Sequence, residues 1–394
     1  MKRSINRILT THAGSLPRPE DLMELYREDA PDTKLLPRLQ SAIADVVRRQ
    51  ADIDVDIVND GEFGKAMRRA TDFGAWWSYV YDRLAGFEVR KETAEAGRAA
   101  WTFGSKERKE FAEFYAEDGG MGSARTGSSS ARMYGLTCTG PVKYIGQQTI
   151  RRDIDLLRSA VSNVRTEEAF VTAVSPATLQ ILPNEHYKSQ QDYTWALAEA
   201  IGEEYKAIVD AGFILQIDDP ALVDIWDWWY SLKGDMASYR TWAQFQVEAV
   251  NHALEGIPED RVRFHICWGS WHGPHSGDVP LKEVADLLLR VKAQAYSVEA
   301  GNVRHELEWK VWDHTKLPDG KLLIPGVVSH ATNLIEPPEL VADRIIRYAK
   351  VVGRENVIAG TDCGLGGRVH HQIAWAKLAA LSEGAKLASR ELWQ

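Results

Sequence analysis

Nine short apolar segments rich in β-branched residues recur along the chain, at residues 8–11, 55–59, 136–140, 169–174, 213–217, 262–266, 295–298, 322–328 and 357–360. Most are separated by stretches with apolar residues at three- and four-residue spacing, at 34–52, 193–211, 237–255, 281–293 and 340–352. This alternation predicts parallel strands joined by right-handed helical crossovers. The repeat number favours closure into a single (β/α)8 (TIM) barrel, with residues 1–394 as one catalytic unit. Nine candidates compete for eight places. One of them, 8–11 or 322–328, is expected to be irregular or to lie outside the barrel.

Residues 71–133 interrupt the pattern with a long βα insertion. It carries Trp76, Trp77, Tyr79, Tyr81, Trp101, Phe111, Phe114 and Tyr115, then glycine- and serine-rich tracts at 119–122 and 127–130. A loop of that length in a compact domain is functional or disordered, and disordered segments are poor in aromatics. The segment is therefore read as a lid, or as a contact between copies in a homo-oligomer.

The totals exclude several classes of partner. A net charge of −9 with dispersed Lys and Arg gives no basic stripe for nucleic acid or an anionic membrane. No run approaches the ~18 apolar residues of a membrane span. The opening Met1-Lys2-Arg3 is followed by no apolar stretch, so a cytoplasmic protein is expected. Three cysteines make no disulfide framework and suit a reducing compartment, where thiols stay available to metals.

Two of those cysteines, Cys267 and Cys363, follow strand candidates, and barrels keep their chemistry at the C-terminal ends of strands. The side-chain period of two puts His265 and Cys267 on one side of their strand. With Glu299 at the end of another strand, the set comprises two thiolates, an imidazole and a carboxylate. Zinc is the metal that suits it. Structural zinc sites usually use local Cys-x2-Cys knuckles, and this chain has none, so a metal here would act on substrate by stabilising an incoming thiol as thiolate. Cys138 is read as an apolar filler. His272 and His275 share a Gly/Pro-containing loop and are read as substrate contacts or exposed residues. Tryptophans at 76, 77, 226, 228, 229, 268 and 271 follow the relevant strands and offer walls for a substrate pocket.

These residues fall into ordered motifs: Thr11-His-Ala-Gly-Ser15-Leu-Pro-Arg18, Asn59-Asp-Gly-Glu62, Thr139-Gly-Pro141, Gln216-Ile-Asp218, His265-Ile-Cys267, Ser297-Val-Glu299, Gly326-Val-Val-Ser-His330 and Asp362-Cys363-Gly-Leu. In this the chain resembles the C-terminal catalytic barrel of cobalamin-independent methionine synthases, within the zinc-dependent thiol alkyltransferases. The resemblance implies zinc held by His265, Cys267, Glu299 and Cys363. It implies a homocysteine-like thiol held by Ser15, Glu62 and Asp218, with Arg18 and Trp268 beside it, and His330 as the acid for the leaving amine. The implied reaction is methyl transfer to the thiol, with methyltetrahydrofolate or a smaller molecule as donor.

Departures accompany the matches. This chain has one barrel where the family has two, no tryptophan follows Thr139-Gly-Pro141, Asp219 replaces a usual glutamate, and Gly301-Asn302 replaces Ser-Arg. The thiol-activating residues are retained while the donor pocket differs. Two other readings stay open: an alkyltransferase or C–S lyase similar to the epoxyalkane:coenzyme M enzymes, for which Arg18, Lys65 and Arg68 would supply an anion site, and a non-catalytic zinc- or thiol-binding scaffold.

Overall fold

The computed structural model describes residues 1–68, 75–90, 105–117, 136–231, 234–270 and 273–394. Trp101, Trp271, His272, the tracts at 119–122 and 127–130, and the side chains of Trp77 and Trp229 lie outside the described part.

Eight parallel strands form one sheet: β1 (Leu9–Thr10), β2 (Ile57–Val58), β5 (Glu168–Val174), β6 (Ile214–Asp218), β7 (Val262–His265), β8 (Ala295–Glu299), β9 (Leu322–Val328) and β10 (Ile358–Thr361). Their spatial order is β1-β10-β9-β8-β7-β6-β5-β2, which runs through the barrel strands in chain order from β2 to β10 and returns to β1, so the sheet curls into a nearly closed barrel. The seam between β1 and β2 is stitched by side chains. Asp56 Oδ2 accepts from the backbone N–H of Thr10 at 2.8 Å, and Thr11 Oγ1 donates to the carbonyl of Ile57 at 3.1 Å. Long amphipathic helices cover the outside, among them α1 (Asp32–Asp52), α2 (Gln147–Val161), α3 (Gln190–Asp210), α4 (Met236–Ala253), α5 (Pro338–Val352) and α6 (His371–Leu392). None of the helices is long and apolar enough to cross a membrane among the described residues.

The ninth strand candidate is not the one expected. Both 8–11 and 322–328 contribute barrel strands, whereas β4 (Leu136–Tyr144) leaves the barrel and pairs antiparallel with β3 (Leu84–Val89), a strand inside the insertion. Pro141 gives the reason: proline cannot donate to a ladder, which confines it to an edge or irregular position. Opposite it stands Gly86, at φ 96°, where a Cβ would lie 2.7 Å from the carbonyl oxygen of Pro141. A buried cluster anchors this ladder. Arg83 donates to Asp153 at 2.6 Å and to Glu204 at 3.0 Å, and the hydroxyls of Tyr79 and Tyr144 also donate to Glu204. Cys138 is fully buried in the core beside it.

The barrel interior changes character along the strands. Its floor is a packed apolar cluster of Leu9, Ile57, Phe170, Ile214, Ala295, Leu322, Ile324 and Ile358. Two residues on, the same strand faces carry Thr172, Gln216 and Ser297, and two further on Asp218 and Glu299. On β7 the series is Arg263, His265 and then Cys267 just past the strand. The polar residues thus collect at the C-terminal mouth.

Candidate metal and thiol site

His265, Cys267 and Cys363 converge at that mouth, with one donor atom from each lying within 4.8 Å of the others. The strand period aligns the first two, and the close approach of β10 to β9 brings the third. Gly326 on β9 is essential to that approach, because a Cβ there would lie 2.4 Å from the backbone of Asp362. The two sulfurs are 3.8 Å apart. That is far too long for a disulfide, but two sulfurs each about 2.3 Å from a tetrahedral zinc would stand about 3.8 Å apart.

The imidazole is set up in the same sense. Nδ1 of His265 is engaged by Ser297 Oγ at 2.9 Å, while Nε2 is buried without a hydrogen-bond partner among the described residues. An outer hydrogen bond of this kind fixes the ring for a ligand at the other nitrogen. Charge favours the arrangement too. The Cys363 thiol is held well below its usual range, first by the hydrogen bond with Cys267 and then by His265, while that same pairing pushes Cys267 up. Burial alone would lower His265, but Cys363, Asp218 and Glu299 together raise it. The donor set and its geometry fit a soft divalent cation.

Glu299 falls into an adjoining group with His330 and Asp362, all buried and also within 4.8 Å of one another. Its Oε1 accepts from the backbone N–H of Trp268 at 2.9 Å, and its Oε2 from Asn302 and, at 2.8 Å, from Arg304. Asp362 accepts from the N–H groups of Ala300 and Gly301, both at 2.7 Å, and burial pushes its carboxyl up to about 7. Burial pulls His330 down to about 4, leaving a neutral imidazole whose Nδ1 has no hydrogen-bond partner.

Ser15, Arg18 and Glu62 meet on the β1 and β2 side. The Ser15 carbonyl accepts from the N–H groups of Leu365 and Gly366 at 2.9 Å, which joins this loop to the one that carries Cys363. Arg18 donates to the carbonyls of Glu62 and Lys65 and approaches Ser15 Oγ at 3.4 Å. Glu62 does not stand alone: Lys65 Nζ lies 3.1 Å from Oε1, and Thr172 Oγ1 donates to the same oxygen at 2.5 Å. Across the mouth, Asp218 is paired in register with His265. Burial lifts its carboxyl to about 7, against the pull of His265. Trp268 is fully buried, with its indole N–H on the Val279 carbonyl and its ring stacked on His305 at 3.9 Å. His275, expected in contact with substrate or exposed, is instead buried against Asp278 at 3.2 Å, because the loop folds back onto the Asp278, Arg304 and His305 cluster.

Sequence reading missed Asn302, Arg304 and Asp362 as partners of Glu299. It gave no role to Gln216, although that residue opens one of the motifs, and did not single out Arg263; the period of two places both one step below Asp218 and His265 on the same strand faces.

The family described as cobalamin-independent synthase, catalytic domain, matches residues 101–387. The chain belongs to that family. Among similar proteins, the 2-hydroxypropyl-CoM lyase of Xanthobacter autotrophicus is 24% identical over 93% of this chain and 89% of its own. The methionine synthase of Saccharolobus solfataricus is 28% identical over 77% of this chain and 83% of its own. In fold, the chain is similar to the B12-independent methionine synthase from Shewanella sp. W3-18-1, with a TM-score of 0.69 and 23% identity over 98% of this chain and 99% of that one. This is thus a cobalamin-independent synthase-like enzyme with a candidate His/Cys/Cys metal site.

Proposed function

We propose that this enzyme is a zinc-dependent S-methyltransferase acting on a homocysteine-like thiol. The observation that carries the reading is the convergence of His265, Cys267 and Cys363 with an unpartnered imidazole nitrogen. These three would hold the zinc, with Glu299 as the fourth ligand. Zinc bound there would supply the Lewis acidity that keeps an incoming thiol ionised at neutral pH.

The chain's own residues account for binding and orientation. Asp218 and Glu62 would take the substrate ammonium through charge-assisted hydrogen bonds, with Ser15, Arg18 and Trp268 framing the rest. Positioning the sulfur against the methyl carbon would supply much of the rate. Sulfur attack forms the S–C bond as the donor's N–C bond breaks, and the departing amine takes a proton from water, with the neutral His330 imidazole placed to accept a hydrogen bond rather than to give up a proton. Residues 105–117 fit a cover over the mouth, since Glu107 accepts from the Ser276 N–H at 2.6 Å and its own N–H reaches Asp227. We read the whole as one catalytic unit in the cytoplasm.

Lys65 against Glu62 favours a second reading, in which a basic side chain meets the anionic head of a thiol such as 2-mercaptoethanesulfonate. The similarity to a 2-hydroxypropyl-CoM lyase supports it. Zinc-loaded enzyme assayed with homocysteine or 2-mercaptoethanesulfonate, each with methyltetrahydrofolate and simpler alkyl donors, separates the two. Methylation of homocysteine supports the first reading, and exclusive use of the sulfonate overturns it.

A further inference from the structure

Arg263 is a buried cation with no carboxylate at hydrogen-bond distance among its described partners. Its guanidinium donates to Gln216 Oε1 at 2.6 Å, Thr11 Oγ1 at 2.9 Å and the His12 carbonyl at 2.8 Å, and lies 3.4 Å from the centre of the Phe170 ring. All five guanidinium hydrogens are donors, so the Gln216 amide has one permissible orientation: oxygen toward Arg263, nitrogen away. That nitrogen then donates to Asp218 Oδ1 and to the Ala13 carbonyl, both at 2.6 Å. Asp218 Oδ2 receives no hydrogen bond from any described residue.

We propose that Arg263 and Gln216 form a positioning relay that presents Asp218 and the Ala13-to-Ser15 segment, as a unit, to the ammonium group of the acceptor thiol. The inference rests on the proposed function. It adds the pair that sets the acceptor pocket and, through it, the preference for an amino-acid thiol over a sulfonate. A cation next to an amide oxygen strengthens the opposite N–H as a donor, so the relay both fixes the rotamer of Asp218 and compensates its charge without occupying it. Remove the cation, and the amide is free to turn its oxygen toward the carboxylate.

Gln216→Glu separates this role from simple packing. The substituted side chain keeps its size and still satisfies Arg263, but loses the N–H donors to Asp218 and Ala13. Cobalt-loaded enzyme, titrated with thiols at about pH 7 and again at about pH 9.5 and followed by its visible absorption, reports binding without turnover; the two adjacent carboxyls raise each other's pKa, so a shared proton that would restore the donor to Asp218 is lost only toward the higher pH. Gln216→Glu and Arg263→Met are expected to weaken homocysteine about tenfold or more and to change 2-mercaptoethanesulfonate about twofold or less, with Arg263→Lys in between. Metal content and the circular dichroism spectrum of Gln216→Glu should match the wild type, although the added buried carboxylate beside Asp218 lowers its melting temperature. Equal homocysteine binding by wild type and Gln216→Glu overturns the relay, as does an equal loss for both thiols. A wild type that binds metal and the sulfonate but not homocysteine overturns the proposed acceptor, and the relay with it.

Discussion

The guanidinium of Arg304 lies 2.8 Å from the Glu299 carboxylate, five residues along the chain and on the oxygen that Asn302 also engages. Glu299 is therefore a carboxylate with several donors already on it, unlike His265 with its vacant nitrogen. As the proposed fourth ligand it is already shared with these donors, so Glu299→Gln is expected to lower zinc affinity only about tenfold, no more than the loss of an outer partner would. Competition against a zinc chelator measures it.

Among the described residues, Cys267 and Cys363 engage no carboxylate or guanidinium; their contacts are with each other, Ser270 and His265. Cys267→Ser or Cys363→Ser should lower zinc affinity about 100-fold or more, beyond the effect of an outer partner, while the circular dichroism spectrum is kept. The wild type should lose thiol alkylation on dialysis against a chelator and recover it with added zinc.

His305 makes stability depend on pH. Burial lowers its pKa, but Asp278 at 3.4 Å and Glu308 at 2.7 Å, helped by Glu299, more than offset this and raise it to about 9. Because the folded value exceeds the ordinary 6.5, the stabilisation is complete below pH 6.5 and disappears as the pH rises through about 9. The melting-temperature gap between wild type and His305→Gln should be widest below pH 6.5 and narrow toward alkaline pH.

Arg83 ties the ladder of β3 and β4 to the barrel helices. Arg83→Met would leave Glu204 buried without its cation, while Asp153 keeps Arg152 at 2.6 Å, a change that costs about 3–5 kcal/mol. Urea denaturation should show that loss. Replacing Arg38, whose pair with Asp21 is exposed at the acid, should change stability by about 1 kcal/mol or less.

Local periodicity carried much of this protein. Alternating strand and helix patterns dictated a parallel barrel, because each amphipathic segment must bury its apolar side against the next. The period of two puts His265 and Cys267 on one face of their strand. What the tertiary structure alone decided was pairing across long stretches of sequence. Segment 136–140 reads as a barrel strand until Pro141 and the antiparallel partner at Leu84–Val89 exclude it. Glu62 reads as a substrate contact and Glu299 as a metal ligand, and only the folded chain shows Lys65 and Arg304 beside them. The cause is physical: a strand or helix pattern reports which side of a segment avoids water, whereas the partner of a buried charge is chosen by barrel closure and loop packing, which no local window contains.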